Sequence, residues 1–201
     1  GCPRSARSSP LRGTPPAPPS RGSLLVIFLT VFIDLLGFGM VLPLLPLYAK
    51  TFGVDKHGWE LGLLMASFSA MTFLFAPLWG KLSDRIGRRP VIIVGLAASA
   101  AFYALFGVAA TFGGQTGLVW LFVARIGAGI AAGTIPTAQA YIADVTTLAT
   151  RTKGMALIGA AFGLGFTFGP LIGWAALWFS TSESQIATSP WPGFAAAILS
   201  G

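Results

Sequence analysis

The chain has 201 residues, of which 54% are hydrophobic and only 9% charged, with a net charge of +7. A soluble domain needs about a quarter of its residues charged to keep its surface wet, so this composition excludes an ordinary water-soluble globule. The single cysteine, Cys2, excludes a disulfide within the chain, and the excess positive charge gathers in particular connections rather than on one nucleic-acid-binding face.

Residues 1–22, GCPRSARSSPLRGTPPAPPSRG, are rich in Pro, Ser and Arg without apolar periodicity and read as a disordered basic tail. From residue 23 onward the chain reads as a transmembrane bundle. Its apolar runs approach the roughly 20 residues of helix needed to cross about 30 Å of hydrocarbon. The expected spans are 24–48, 61–79, 91–112, 118–143 and 155–179, with 193–201 as the start of a sixth. The fold class is therefore all-α integral membrane, with five complete spans. Continuous apolar runs argue against a barrel, whose strands alternate apolar and polar positions.

Topology follows from the basic residues. The tail and the connections after spans two and four hold ten Lys and Arg, whereas Lys50 and Lys56 stand alone on the other side. The positive-inside rule then places the N-terminus in the cytoplasm.

Span one contains VFIDLLGFGMVLPLLP, an apolar stretch with one acid, Asp34. A central carboxylate costs about 2.5–3.5 kcal/mol on insertion scales, so its default reading is a functional site. Gly37 and Gly39 permit close helix approach, and Pro43 and Pro46 bend the outer half. The connection after span two reads GKLSDRIGRRP, with Gly80, Asp84, Arg85, Gly87, Arg88 and Arg89 at fixed positions. A topology-driven basic loop explains Arg88 and Arg89 but not Asp84 held between glycines. In span four Arg125 is the one charge. Counting helical rise from opposite faces puts Asp34 and Arg125 within about one helical turn of the same depth. Two readings remain open: a proton-handling pair, or a fixed ion pair that orients helices. Gly129 and Gly133 form a GxxxG face, Gln139 is a polar candidate, and Asp144 closes the span at the cytoplasmic surface. Span five repeats glycine at four-residue intervals (Gly159/Gly163, Gly165/Gly169, Gly169/Gly173) around Pro170, spacing that allows tight packing. Phe162 and Phe166 are possible substrate-lining residues, and lipid-facing or packing roles explain them equally. His57, in the outer connection, reads as solvated.

GKLSDRIGRR resembles the G-x-L-[AS]-D-[RK]-x-G-[RK]-[RK] signature of the major facilitator superfamily at every specified position. Asp34-Leu-Leu-Gly37-Phe-Gly39 with Pro43 resembles the D-x-x-G-x-G-x-x-x-P of its drug–proton antiporters, particularly the tetracycline-efflux group. AYIAD at Asp144 is similar too. Gly165, Gly169, Pro170 and Gly173 match the antiporter signature G-x-x-x-G-P-x-x-G-G, with Trp174 in place of its last glycine. The resemblance implies the N-terminal six-helix half of a twelve-span carrier that exchanges protons for small amphiphilic compounds, in the bacterial inner membrane. It implies proton coupling through Asp34 and Arg125. It also implies a gate at Gly80, Asp84, Arg85, Gly87, Arg88, Arg89 and Asp144, and helix packing at the span-five glycines. The expected partners are a small-molecule substrate, protons, lipid and the C-terminal half of the transporter, a segment beyond this chain. No cofactor, metal or nucleic acid is expected, the drive being the proton gradient, and no catalysis. Apolar Phe102 stands where tetracycline pumps carry an acid in span three, which points to the broader drug-exporter group. The alternatives are a non-transporting truncated product or scaffold, and a solute importer of the same superfamily.

Overall fold

A computed structural model describes residues 21–46, 59–112, 114–177 and 189–200. The tail through residue 20 lies outside them, as do Lys50, Lys56 and His57. The described residues are helical throughout, without strands: α1 Arg21–Val41, α2 Trp59–Ile86, α3 Arg88–Phe112, α4 Gly114–Ala132, α5 Ile135–Val145, α6 Leu148–Leu177 and α7 Trp191–Ser200. Among the described residues five spans are long and apolar enough to cross a membrane, α4 and α5 together forming one of them.

Three boundaries differ from the sequence expectation. Span two does not stop at Trp79 but runs as helix to Ile86, so Gly80, Asp84 and Arg85 belong to its last turns. Hydropathy marks where lipid ends, and a helix continues past that point wherever its backbone bonds can. The turn is Gly87 alone, at φ +98°, a left-handed conformation that favours glycine; its N–H reaches Ser83 O at 3.1 Å, and α3 starts at Arg88. Span five likewise begins early, at Leu148, leaving Thr146 and Thr147 as the connection.

The third difference is a break inside span four. Pro136 lacks the N–H that would bond Ala132, and its ring crowds that carbonyl. The helix gives way at Gly133–Thr134, where Thr134 N bonds Ala131 O in a tighter turn. α2 donates to carbonyls beside this joint: Trp79 Nε1 to Ile130 O at 2.7 Å, which also accepts from Gly133 N, and Thr72 Oγ1 to Gly129 O at 3.0 Å. Pro77 and Pro170, by contrast, sit inside uninterrupted helices. In span one the α-helix passes into a 3₁₀ turn at Leu42–Leu44, around Pro43.

Packing rests on glycine. α1 lies along α6, where a Cβ on Gly39 would sit 2.7 Å from Gly165 O and one on Gly169 would sit 2.7 Å from Gly39 C. Gly173 faces Met40 in the same seam, whereas Gly159 and Gly163 face open space within the described residues. α2 and α4 meet at Gly129, against Phe68 and Met71, and α3 and α7 meet at Gly107 and Gly193. Two apolar clusters fill the interior, one around Met40, Leu64, Phe106 and Leu121, the other around Val31, Ile142 and Ile158. Outward-facing Phe73, Ile93, Leu148 and Trp174 leave an apolar exterior suited to lipid or to further helices.

Candidate functional site

The α1–α6 seam fixes the face of α1 that turns inward. Asp34 and Phe38, one helical turn apart, both face the bundle, and each meets a different environment.

Asp34 is buried beside Ser99 of α3, and its Oδ1 has no partner among the described residues. Tyr103, one turn further along α3, donates from its hydroxyl to the Asp34 backbone carbonyl at 3.2 Å. Its ring occupies the space where Gly37 has no side chain: a Cβ there would lie 2.7 Å from Tyr103 Cε2. Asp34 also lines a small pocket with Thr30, Val31, Ile92, Leu96, Thr134, Ile135 and Ala138. These residues lie between Asp34 and the basic end of the bundle, where α1 starts and α5 finishes, so the pocket extends from the carboxyl group toward that end.

Arg125 is 2% exposed and is the largest fully buried side chain among the described residues. Its guanidinium carbon lies 4.6 Å from the centre of the Phe68 ring and 5.4 Å from that of Phe38. Such contacts offset charge burial, each by about 2 kcal/mol when desolvated. They do not satisfy hydrogen bonding: Nε and Nη1 have no partner among the described residues, and an unmet buried donor costs about 1–3 kcal/mol. The ion pairs among the described residues are those of Arg88, so no Asp34–Arg125 bridge forms. The Tyr103 phenol lies within electrostatic reach of both charges. A fixed ion pair between them is therefore not what the structure contains.

The rings form a layer. Phe38 stacks on Phe68 with centroids 4.6 Å apart and meets Phe166 edge-on at 5.7 Å; Phe162 and Phe166 stack at 6.3 Å. Phe166 is exposed, so the layer reaches from Arg125 to the surface of the bundle. Gln139 is exposed on α5, away from this layer's contacts. Phe102 fills the slot beside Gly127 of α4, an apolar packing role.

At the basic end Arg88 joins two acids. It pairs with Asp84 at 3.2 Å, across the Gly87 turn, and its Nε bonds Asp144 at the end of α5. Arg89 reaches the Tyr141 hydroxyl at 3.3 Å, and Arg151 caps the α5 carboxyl end through Ala143 O at 3.1 Å. Arg85 is exposed on the last turn of α2, and Gly80 faces open space. The network thus ties together the ends of α2, α3 and α5, with Arg88 rather than Arg85 at its centre. Asp84 and Asp144 are more than half exposed, so these pairs contribute little to stability and act by geometry.

Sequence reasoning passed over Ser99, Tyr103, Phe38 and Phe68. A serine, a tyrosine and two phenylalanines in apolar spans carry no signal of their own; only their approach to Asp34 and Arg125 marks them. No group of three or more potential metal ligands occurs among the described residues.

The family model of the Major Facilitator Superfamily matches residues 27–201. The chain is 37% identical over 153 residues to the class E tetracycline resistance protein of Escherichia coli, covering 75% of this chain and 36% of that one. It is 34% identical over 202 residues to the human major facilitator superfamily domain-containing protein 10, covering 83% and 43%. The crystal structure of the human organic anion transporter MFSD10 (TETRAN) superposes with a TM-score of 0.72 at 30% identity, over 91% of this chain and 46% of that one. The inward-open xylose transporter XylE of E. coli superposes at 0.66 with 19% identity, a likeness of fold, over 89% and 45%. The chain spans less than half the length of each of these relatives.

Proposed function

Because this chain belongs to the major facilitator superfamily, we propose that it forms the N-terminal half of a secondary transporter that exports small amphiphilic compounds in exchange for protons. The observation that carries this reading is Asp34: a buried carboxyl group with one oxygen unbonded, at the head of a pocket that extends toward the basic end. Protonation removes the charge that makes a carboxylate expensive in the bilayer, and deprotonation restores it when the pocket wets. Asp34 loads a proton from one side and releases it to the other as the two halves rock about a midplane site. Arg125 and Tyr103 set the electrostatics around that exchange. Phe162, Phe166 and Gln139 line the substrate path. The Asp84–Arg88–Asp144 network latches one end, and the glycine seam of Gly165, Gly169 and Gly173 holds α6 against α1. By the distribution of basic residues, that end and the N-terminus face the cytoplasm. Tetracycline resistance proteins and a human organic anion transporter are both similar to this chain, which supports an amphiphilic organic substrate. Bacterial and mammalian relatives match at comparable identity.

The test is Asp34→Asn in the full-length protein, assayed in vesicles with a proton-sensitive dye and a counterflow measurement. The variant inserts and loses proton-driven efflux. Efflux at the unsubstituted rate would remove Asp34 from the mechanism.

A further inference from the structure

Arg125 has a charge that no ion pair among the described residues neutralises. The chain has six acidic residues: Asp34, Asp55, Glu60, Asp84, Asp144 and Glu183. Among the described acids, Glu60, Asp84 and Asp144 lie near helix ends, and Asp34, deep within α1, makes no ion pair with Arg125. The guanidinium is nonetheless almost wholly buried, with Nε and Nη1 unbonded among the described residues. Phe38 and Phe68 meet the faces of a cation but accept no in-plane hydrogen bond from its N–H groups. What remains unmet is an acceptor of negative charge beside the guanidinium plane. A buried cation without its counter-ion is strongly disfavoured, whereas carboxylates and guanidinium groups match in planar geometry.

The rings specify the rest of such an acceptor. The layer of Phe68, Phe38, Phe166 and Phe162 runs from the guanidinium to the exposed Phe166, so a flat apolar body attached to the anionic group continues along it. Aromatic bodies stack or meet edge-on with such rings at centroid distances of about 4.5–7 Å. Access requires only that Phe38 or Phe68, both partly exposed, swing aside.

From this geometry we propose that Arg125, roofed by Phe38 and Phe68, is an anion-recognition site that takes the carboxylate of a small aromatic organic acid. This rests on the transporter reading and names the substrate class for it. Proton exchange and substrate recognition then belong to two neighbouring but separate groups, Asp34 and Arg125, with Tyr103 between them.

The experiment uses the full-length protein in detergent and three probes of one shape: 2-naphthylacetate, its neutral amide, and 2-(2-naphthyl)ethylammonium. Binding is read by calorimetry or by quenching of intrinsic fluorescence. The unsubstituted protein binds the acid at least ten-fold more tightly than the amide and prefers it to the cation. Arg125→Gln abolishes that preference, and Arg125→Lys, which keeps the charge without the planar fork, retains a reduced one. Phe68→Leu lowers affinity for 2-naphthylacetate more than for cyclohexylacetate. Equal binding of acid and amide by the unsubstituted protein overturns the proposal without recourse to any variant, and is the result expected if an acid elsewhere in the full protein pairs with Arg125. An undiminished preference in Arg125→Gln overturns it as well. Asp34→Asn is measured alongside for proton-driven transport. Retained transport there defeats the proton-exchange reading, while the probe series decides the anion site on its own.

Discussion

Replacing Gly169 with alanine tests whether the glycine seam sets the position of α1. The added Cβ would lie 2.7 Å from Gly39 C, 2.8 Å from Gly39 Cα and 2.9 Å from Leu36 O. All three are backbone atoms, so no side chain can swing away and the two helices must separate. Overpacking of this kind costs about 1–3 kcal/mol, against which alanine recovers about 1 kcal/mol of helix propensity. Taking about 1 kcal/mol as the net loss, and about 2–4 °C per kcal/mol for a domain of this size, the full-length protein in detergent should melt about 2–4 °C lower. Gly159→Ala, on the same helix but facing open space, should leave the melting temperature unchanged or raise it slightly. The double variant Gly39→Ala/Gly169→Ala should cost less than the two single losses added together, because helices already pushed apart have room for the second methyl. Thermal melting followed by size-exclusion chromatography of a fluorescent fusion provides the readout. A Gly169→Ala melt indistinguishable from that of Gly159→Ala, or strict additivity in the double variant, would refute direct backbone contact as the cause.

Trp79→Phe keeps an aromatic ring but removes the donor to Ile130 O, a loss of about 1 kcal/mol; amide exchange at residues 131–135 should quicken while that of α6 stays unchanged. Tyr103→Phe keeps the ring over Gly37 and deletes the bond to the Asp34 carbonyl, worth about 0.5–1.5 kcal/mol. It should slow proton-driven transport in vesicles without loss of assembled protein. Arg88→Ala separates the ends of α2, α3 and α5, and should shift the melting temperature by no more than about 2 °C because the pairs are exposed. The same variant should sharply lower transport, measured by counterflow.

Much of the architecture can be read from the chain because lipid imposes a simple rule: each crossing needs an unbroken apolar run, and α1, α3 and α6 show theirs plainly. Helix ends are less legible. Gly80–Ile86 and Leu148–Gly154 are polar enough to leave the bilayer, yet nothing in them stops a helix, so expected loops are helical turns. Prolines mislead in both directions. Pro170 and Pro77 leave their helices whole, while span four breaks ahead of Pro136, where Trp79 and Thr72, distant in sequence, donate to the carbonyls beside the joint. Four-residue glycine spacing identifies a face without saying what covers it: Gly165 and Gly169 meet α1, whereas Gly159 and Gly163 meet nothing in the described residues. At the candidate site, rise per residue gives depth, but rotation about the helix axis decides partners. That rotation turns Asp34 toward Ser99 and Arg125 toward two phenyl rings, an outcome that only packing determines.

The interruption at Gly133–Thr134 divides one crossing into two rods with different duties. The rod ahead of it holds Arg125 beneath its rings, and the rod behind it carries Asp144 to the ion-paired end. Motion at that end can be absorbed at the joint before it disturbs the aromatic roof. Under the proposed function, changes that retune which compounds are accepted and changes that alter how fast the carrier cycles would then accumulate separately, so a lineage could broaden one trait without surrendering the other.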